Sequence, residues 1–327
     1  MFTKRLILIS IVDRLVNSII RAYPARPDTV TKPASRQSMK APPFDYAKPT
    51  SLDEVFALMA THGDNARLLA GGQTLLATLN VRLSEPAILI DIAGITELKG
   101  ISVQGSMLRI GALATHSEIE ASALVAEHAP LLSAAAPHIA HRAIRNLGTW
   151  GGSIAYADPA AEWPACLVAL EGTVVLCSAQ GERRVAAKDF FIDLYTTALA
   201  AGELVSACEV PLRTAADVFV FDELARRHGD YAVVGMALVA QRAADTLSRA
   251  RIVFLGMGNT PVRASRCEAQ LQGKPLTPEL IDTAMASLKR ELHPMADLTN
   301  SVDTKRHLAS VLARRALTTL MRERATA

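Results

Sequence analysis

Two stretches of this 327-residue chain, LAGGQTL at residues 69–75 and TWGGSI at residues 149–154, give the strongest indication of its fold. Each places two consecutive glycines beside hydroxyl or amide side chains. Glycine adopts positive φ angles and lets a ligand approach the backbone, so that consecutive N–H groups can hold a phosphate. Thr74 and Ser153 can add hydroxyl donors. Taken alone, either glycine pair is better explained as a tight turn, so the surrounding sequence has to decide.

The residues around the first pair predict a strand, a glycine turn, a helix and a second strand. Residues 67–70 and 87–92 are short apolar runs, and residues 75–83 have helical spacing. A capping box formed by Ser51 and Glu54 predicts a helix that precedes this unit. After the second pair, Asp158 and Pro159 predict the cap and first turn of a helix that runs through Glu162 to about residue 170.

The remaining segments predict further strands and a separate C-terminal unit. Residues 173–177 and 183–186 form a hairpin pattern, and the polar stretch after Pro211 suggests a linker. Beyond it, three strand-like runs precede three helical patterns, which predicts a small three-stranded antiparallel sheet packed against helices in an α+β fold. The strand-like runs are residues 218–224, 232–240 and 251–257, and the helical patterns are residues 263–271, 278–292 and 303–324.

Composition and motifs exclude several classes of function. The chain lacks the Gly-x-Gly-x-x-Gly and Gly-x-x-x-x-Gly-Lys-Ser/Thr patterns of Rossmann and P-loop sites. A net charge of +3, with 35 basic and 32 acidic residues, is too small to indicate a nucleic-acid-binding surface. The four cysteines form no Cys-x-x-Cys pair, which argues against an iron–sulfur cluster and is typical of a reducing cytoplasm. No apolar run reaches the roughly 20 residues of a membrane span.

The N-terminal residues 1–38 differ from the rest of the chain. An apolar run at residues 6–12 faintly resembles a signal peptide, and residues 24–38 are rich in Pro, Ser, Thr and Lys. We expect residues 1–38 to be an appendage, either disordered or produced by an upstream mis-start. The predicted domains are then residues 39–212 and residues 213–327.

Several ordered motifs resemble the FAD-binding medium subunits of carbon monoxide dehydrogenase and xanthine dehydrogenase-type molybdenum hydroxylases. They are FDYAKP at 44–49, LAGGQTL at 69–75, IGA at 110–112 with Thr115 and His116, IRNLGTWGGS at 144–153 and RRHGDYA at 226–232. The resemblance covers nearly all of the chain from Lys40 onward. It implies a noncovalent FAD and a bipartite FAD-binding domain like that of vanillyl-alcohol oxidase (PCMH-type), followed by a small C-terminal domain.

The resemblance also implies which residues contact the cofactor. The two glycine loops would bind the pyrophosphate and ribityl chain, Val205 would lie beside the isoalloxazine, and Tyr231 would cover it. Glu162 holds the position of an acidic contact, although it can equally favour the start of its helix, and spacing alone places Val205 in the core. The implied set is Leu69, Ala70, Gly71, Gly72, Gln73, Thr74, Leu75, Thr149, Trp150, Gly151, Gly152, Ser153, Glu162, Val205 and Tyr231.

The sequence departs from the family pattern at four positions. Gln73 stands where many members have His, and Trp150 stands where Ile or Val is usual. Ser153 replaces the usual Asn, and Glu223 occupies a place often held by Lys. The departure at Glu223 puts a cationic contact to the flavin in doubt. For the adjacent Arg226 and Arg227, a solvated charge pair is a commoner explanation than a contact to the cofactor or to another subunit.

The function that the resemblance implies is electron transfer. A large molybdenum-pterin subunit would oxidise the substrate, a small subunit would relay electrons through two [2Fe-2S] clusters, and this chain would pass them to an external acceptor. We expect a dimer of heterotrimers and no acid, base or nucleophile on this chain. Two alternatives stay open: a self-sufficient flavin oxidase of the vanillyl-alcohol oxidase type, and a flavin-free binding or assembly protein.

Helix-capping or surface roles are expected for His116, His138 and His141 rather than a metal site.

Overall fold

A small parallel sheet carries the first glycine pair. The computed structural model describes residues 40–323, so the predicted appendage at residues 1–38 lies outside the described residues. The strand order is β1-β3-β2, and every residue of the central strand β3 is buried. The expected helix at residues 75–83 ends earlier, at Asn80. The elements are β1 (Asp45–Ala47), α1 (Leu52–His62), β2 (Ala66–Leu69), α2 (Leu75–Asn80) and β3 (Ile88–Asp91).

The first helix has the cap that its sequence predicts. The Ser51 side chain accepts a hydrogen bond from the backbone N–H of Glu54. The helix ends at Gly63, whose φ of 50° is in the region that favours glycine. In a complete capping box the Glu54 side chain would accept a hydrogen bond from the backbone N–H of Ser51. In the structure it accepts instead from the N–H of Thr50, one residue earlier. These local contacts fix the position of α1 before the strand that leads to Gly71.

A five-stranded antiparallel sheet forms the centre of the first half of the described chain. Its order is β4-β5-β10-β6-β7, and the predicted hairpin is confirmed as the pair β6 and β7. A bulge between Val205 and Ala207 interrupts the pairing of β10 with β6. The strands are β4 (Ile101–Gln104), β5 (Met107–Gly111), β6 (Thr173–Ser178), β7 (Gly181–Ala186) and β10 (Leu204–Pro211).

Short helices connect β5 to β6 and carry the second glycine pair. Thr115 and Glu118 form both hydrogen bonds of a capping box at the start of α3. The helix predicted to start at Asp158 begins at Glu162 instead, because the Asp158 carboxylate accepts from the N–H of Ala160 and forms an Asx turn. The helices are α3 (His116–Ala121), α4 (Ala123–His128), α5 (Pro130–Ala135), α6 (Arg142–Arg145), α7 (Trp150–Tyr156) and α8 (Glu162–Ala169).

The second glycine pair does not form the loop that the sequence predicts. Trp150, Gly151 and Gly152 are the first three residues of α7, and Thr149 is its N-cap. The fully buried indole ring of Trp150 fixes this conformation, because tertiary packing overrides the low helix propensity of glycine.

The C-terminal sheet has four strands in the part of the chain that the structure describes, not the predicted three. A two-residue strand, β14, pairs with β13 at the edge and was too short to predict from its sequence. The strand β12 is buried on both faces, which explains its nearly continuous apolar sequence. The elements are β11 (Asp217–Leu224), β12 (Val234–Ala243), β13 (Thr246–Leu255), β14 (Val262–Arg263), α10 (Ser265–Leu271), α11 (Pro278–Glu291) and α12 (Val302–Arg322).

Each face of β12 packs into a different core. Met236 and Leu238 pack with the C-terminal helices, whereas Ala237 and Val239 belong to the core that includes Trp150 and Trp163. The C-terminal sheet therefore packs directly against the helices that follow the second glycine pair. Before β10, a short hairpin follows a single helical turn: α9 (Ala187–Phe190), β8 (Phe191–Asp193) and β9 (Thr196–Thr197).

Candidate functional site

The backbone of the first glycine segment packs against Leu147 and Gly148, directly before the second segment. A Cβ atom added to Gly71 would lie 1.9 Å from the carbonyl oxygen of Leu147 and 3.0 Å from the Cα of Gly148. No side chain fits there, because real Cβ atoms essentially never come within 3.0 Å of another heavy atom. Gly72 has a φ of 70°, which other residues adopt only with strain. The structure thus packs the segment at residues 69–75 against the two residues that precede the segment at residues 149–153.

The second segment presents one face to the core and one to the surface. A Cβ on Gly151 would lie 2.4 Å from the Cβ of Ala112, and Trp150 is fully buried. Gly152 is exposed and Ser153 is half-buried, and the Thr149 side chain accepts a hydrogen bond from the N–H of Gly152. Of the five predicted contacts in this segment, Gly152 and Ser153 are therefore the ones that a ligand can reach.

A pocket of about 490 Å³ lies beside the first segment. It joins Gln73 and Thr74 to three tyrosines from different parts of the chain, and the ring centroids of Tyr156 and Tyr195 are 5.1 Å apart. Tyr231, the predicted flavin cover, lines the pocket and is 66% exposed. The lining residues are Gln73, Thr74, Ala77, Thr78, Val81, Leu83, Tyr156, Asp158, Ala160, Tyr195 and Tyr231.

Sequence reasoning missed four polar residues of this pocket, of which Thr78 lies on α2 directly after the first segment. Tyr156 and Tyr195 had no local signal, because only tertiary packing brings the hairpin segment with Tyr195 next to α7. Asp158 was noticed, but as a helix cap. Burial raises the pKa of Asp158 and also that of Tyr195 and Tyr231, and for both tyrosines the charge of Asp158 is the next cause. The phenols therefore stay neutral at physiological pH and can donate hydrogen bonds.

Glu162 is the first residue of α8 and is not among the residues that line the pocket. It is only 8% exposed, and burial, followed by the negative charge of Glu223, raises the pKa of Glu162 to about 8. The Asp158 charge acts on Glu162 in the same direction, and the Glu162 charge contributes to the raised pKa of Tyr231. Glu162 is thus electrostatically coupled to the pocket without lining it.

The other predicted contacts divide into accessible and interior positions. Leu69, Ala70, Gly72 and Leu75 are half-buried around the first turn, whereas Val205 is buried in the core on β10. Val205 does not line the pocket, so its place beside the isoalloxazine stays a prediction. Arg226 and Arg227 are exposed in the loop that leads to Tyr231.

The histidines and cysteines do not form a metal centre in residues 40–323, where no group of three or more His, Cys, Asp and Glu side chains could hold an ion. His116 is buried rather than capping or at the surface: its Nδ1 accepts a hydrogen bond from Trp163 Nε1 at 2.9 Å. Burial, and secondarily the charge of Arg145, lowers the pKa of His116 to about 4. In the same residues, no helix is long and apolar enough to cross a membrane.

These features suit a ligand that carries both a phosphate and a planar ring. Gly72 leaves its backbone open where a side chain would obstruct, and the tyrosines supply apolar walls with hydrogen-bonding tips. A profile described as "FAD binding domain in molybdopterin dehydrogenase" matches residues 42–213. A second, described as "CO dehydrogenase flavoprotein C-terminal domain", matches residues 219–320. The two matches therefore place the chain among the FAD-binding subunits of oxidoreductases.

Individual relatives narrow this class. The chain is 37% identical over 280 residues to 6-hydroxypseudooxynicotine dehydrogenase complex subunit alpha of Paenarthrobacter nicotinovorans, over 85% of this chain and 95% of the relative. Among solved structures, carbon monoxide dehydrogenase from Hydrogenophaga pseudoflava matches at 37% identity with a TM-score of 0.83, over 85% of this chain and 97% of that chain. Quinoline 2-oxidoreductase from Pseudomonas putida 86 matches at 36% identity with a TM-score of 0.83, over 87% and 99%. The chain belongs to the family of FAD-binding medium subunits of carbon monoxide dehydrogenase and xanthine dehydrogenase-type molybdenum hydroxylases.

Proposed function

We propose that this chain accepts electrons from [2Fe-2S] clusters on a small partner subunit and passes them to an external acceptor. A large partner subunit with the molybdenum-pterin cofactor oxidises the substrate. When bound, FAD supplies the exchange between one-electron and two-electron transfer, and the protein supplies binding, orientation and electrostatics. The observation that carries the proposal is the close approach of Gly71 to Leu147 and Gly148, directly before the second glycine segment, beside a pocket walled by three tyrosines.

Each part of the site has a distinct task in this proposal. The backbone around Gly72 and Gly152 holds the pyrophosphate, because both positions are accessible and lack a side chain. Gln73 and Thr74 orient the part of the cofactor that enters the pocket. Tyr156, Tyr195 and Tyr231 exclude water from the ring and donate hydrogen bonds.

No proton-transfer role in substrate oxidation falls to the described residues of this chain. The buried cysteines are unpaired, and burial raises the pKa of each thiol, which disfavours the nucleophilic thiolate. The unpaired thiols also support a cytoplasmic location. We propose a bipartite, PCMH-like arrangement for residues 39–212 and a C-terminal domain at residues 213–327, assembled with both partners as a dimer of heterotrimers.

An anaerobic stopped-flow experiment tests the proposed electron route. Quinoline and carbon monoxide, the compounds in the names of two relatives, serve as first trial substrates. A substrate mixed with the complete complex is expected to bleach iron–sulfur and flavin absorbance together. In a complex with Gly72→Asp, which strains the left-handed turn and adds a negative charge beside the proposed phosphate site, FAD binding should be lost and only the iron–sulfur signal should bleach.

The isolated chain is the decisive comparison. Purified free of partners, it is expected to leave its own flavin oxidised when mixed with a substrate that the complex oxidises. If the isolated chain bleached its flavin at a rate matching turnover, the relay would be wrong and a self-sufficient flavin oxidase would replace it. A wild-type chain that binds no FAD would instead support a binding or assembly protein.

A further inference from the structure

A single carboxylate lines the pocket that three tyrosines wall. Among the described residues that line this pocket, Asp158 alone carries a formal charge, and none is a lysine or arginine. Its Oδ1 accepts a hydrogen bond from the N–H of Ala160 at 2.9 Å, whereas its Oδ2 forms no hydrogen bond within residues 40–323. The pocket therefore presents a carboxylate with one free oxygen.

The backbone on both sides of Asp158 is held in place. Ala157 ends α7 with a φ of 53°, in the left-handed region that a residue other than glycine adopts only with strain. The carboxylate of Asp158 closes an Asx turn, and the carbonyl oxygen of Pro159 accepts a hydrogen bond from the N–H of Gly256 at 2.8 Å. Strained residues persist only where the surrounding structure holds them, and they cluster at ligand sites. A ligand that enters the pocket thus meets a negative charge already in position.

The groups around the pocket do not neutralise this charge. Burial, followed by the negative charge of Asp158, raises the pKa of each of the three tyrosines, so the phenols add no charge of their own. Arg226 and Arg227 lie in the loop before Tyr231, but they are exposed to solvent and do not line the pocket. Water screens such exposed charges far more than a charge inside a pocket.

We propose that Asp158 lowers the reduction potential of FAD bound in this pocket. The inference rests on the proposed function. Two electrons from the partner's [2Fe-2S] clusters, with one proton from solvent, add one negative charge to the flavin ring, which is uncharged when oxidised. The carboxylate repels this added charge, so the site binds oxidised FAD more tightly than it binds reduced FAD. A lower potential favours onward transfer of the electrons to the external acceptor.

The size of the pocket gives the expected magnitude. A sphere of 490 Å³ is about 10 Å across, so a ring inside the pocket lies within about 10 Å of the carboxylate. At that separation and an effective dielectric constant of about 20, repulsion between two unit charges changes an equilibrium constant by roughly tenfold. For a two-electron couple, a tenfold change corresponds to about 30 mV. Removal of the charge should therefore raise the potential by about 30 mV or more at low ionic strength.

Two neutral variants test the charge while they keep the turn. Asp158→Asn retains a side-chain oxygen that closes an Asx turn, and Asp158→Ser closes a similar turn through its hydroxyl. Redox titrations of the full-length, FAD-loaded protein are made at about pH 8, far above the usual pKa of an aspartate. Both variants should raise the flavin potential by about 30 mV or more. Glu127→Gln, which neutralises an exposed glutamate on α4, should leave the potential unchanged.

Binding of the two redox forms separates an effect of charge from an effect of shape. The Kd of oxidised and of reduced FAD is measured by anaerobic titration of each apoprotein. Both neutral variants should bind reduced FAD at least about tenfold more tightly, relative to oxidised FAD, than the wild type does. Damage to the pocket would instead weaken both forms alike and leave the potential where it was.

Three results decide the matter. Equal potentials in the wild type and in both neutral variants would overturn the inference. Folded variants that bind neither form of FAD would assign the carboxylate to cofactor binding and would also overturn it. A wild-type chain that binds no FAD would refute the proposed function itself, which distinguishes the two failures.

Discussion

Replacement of Gly71 by alanine should separate the two glycine segments and weaken FAD binding. The new Cβ would lie 1.9 Å from the Leu147 carbonyl oxygen, so the backbones must open by about 1.1 Å to reach the shortest contact that real Cβ atoms tolerate, 3.0 Å. Overpacking of this kind costs about 1–3 kcal/mol, occasionally more. If the whole cost falls on the FAD-binding conformation, the Kd for FAD rises by about 5- to 150-fold, since 1.4 kcal/mol corresponds to tenfold.

The assay is the quenching of FAD fluorescence on titration of the apoprotein, together with its melting temperature. Gly94→Ala is the matched control, because the nearest atom to its new Cβ is the side-chain Cε of Lys48 at 3.9 Å, an ordinary contact. Gly72→Ala should be intermediate: its φ of 70° costs about 1–2 kcal/mol, but its new Cβ meets only the flexible ends of Leu76 and Leu69. A Gly71→Ala protein with the wild-type Kd and melting temperature would refute the reasoning.

Three further predictions concern the cofactor, the N-terminus and acid stability. FAD should leave the protein on acid precipitation, since Gln73 stands where many members of the family have His and its amide cannot form a covalent bond to the flavin; yellow colour that stays with the washed precipitate would contradict this. A chain that starts at Met39 should retain FAD, because both glycine segments lie downstream, and a folded but colourless product would show that residues 1–38 contribute. The pKa of His116 is about 4 in the folded protein and about 6.5 in the unfolded chain, so the folded protein favours the neutral imidazole. The free energy of unfolding therefore decreases as pH falls from about 6.5 to 4, by up to about 1.4 kcal/mol per pH unit. In urea titrations across this range, His116→Asn should lose less stability than the wild type; equal losses would mean that His116 is not the group that titrates.

Local sequence signals predicted the elements that depend on local contacts. The cap at Ser51 and the hairpin of β6 and β7 are confirmed, since their hydrogen bonds join residues close in sequence. The capping box of Thr115 and Glu118 is equally local. The signal at Asp158 was ambiguous, because the same carboxylate can cap a helix or close an Asx turn, and the structure shows the turn. The strand β1 has only three residues and was not predicted.

The pocket depends on contacts that no local pattern reveals. Tyr195 lies about forty residues from Tyr156 in sequence, and its ring reaches the pocket only through packing of the hairpin segment. Glu223 was noted as a departure from the family pattern, but the burial of its side chain beside His138 depends on how β11 packs against α5. Resemblance could therefore indicate Glu162 and Tyr231, while the polar groups that surround them required the three-dimensional fold.

In both glycine pairs the first glycine is required for close packing and the second leaves the backbone accessible, which explains why each pair has two glycines. In each pair the first glycine is required by packing: Gly71 lies against Leu147, and Gly151 lies against Ala112. The second glycine is accessible, with Gly72 in a left-handed conformation and Gly152 exposed on the first turn of α7. Alanine at the first position should therefore reduce stability and FAD affinity together. A carboxylate at the second position adds repulsion of the pyrophosphate to a local cost, which is strain at Gly72 and a contact of 2.7 Å with the Thr149 hydroxyl at Gly152. The motif thus joins a structural requirement to a binding requirement, and two consecutive glycines are the shortest sequence that meets both.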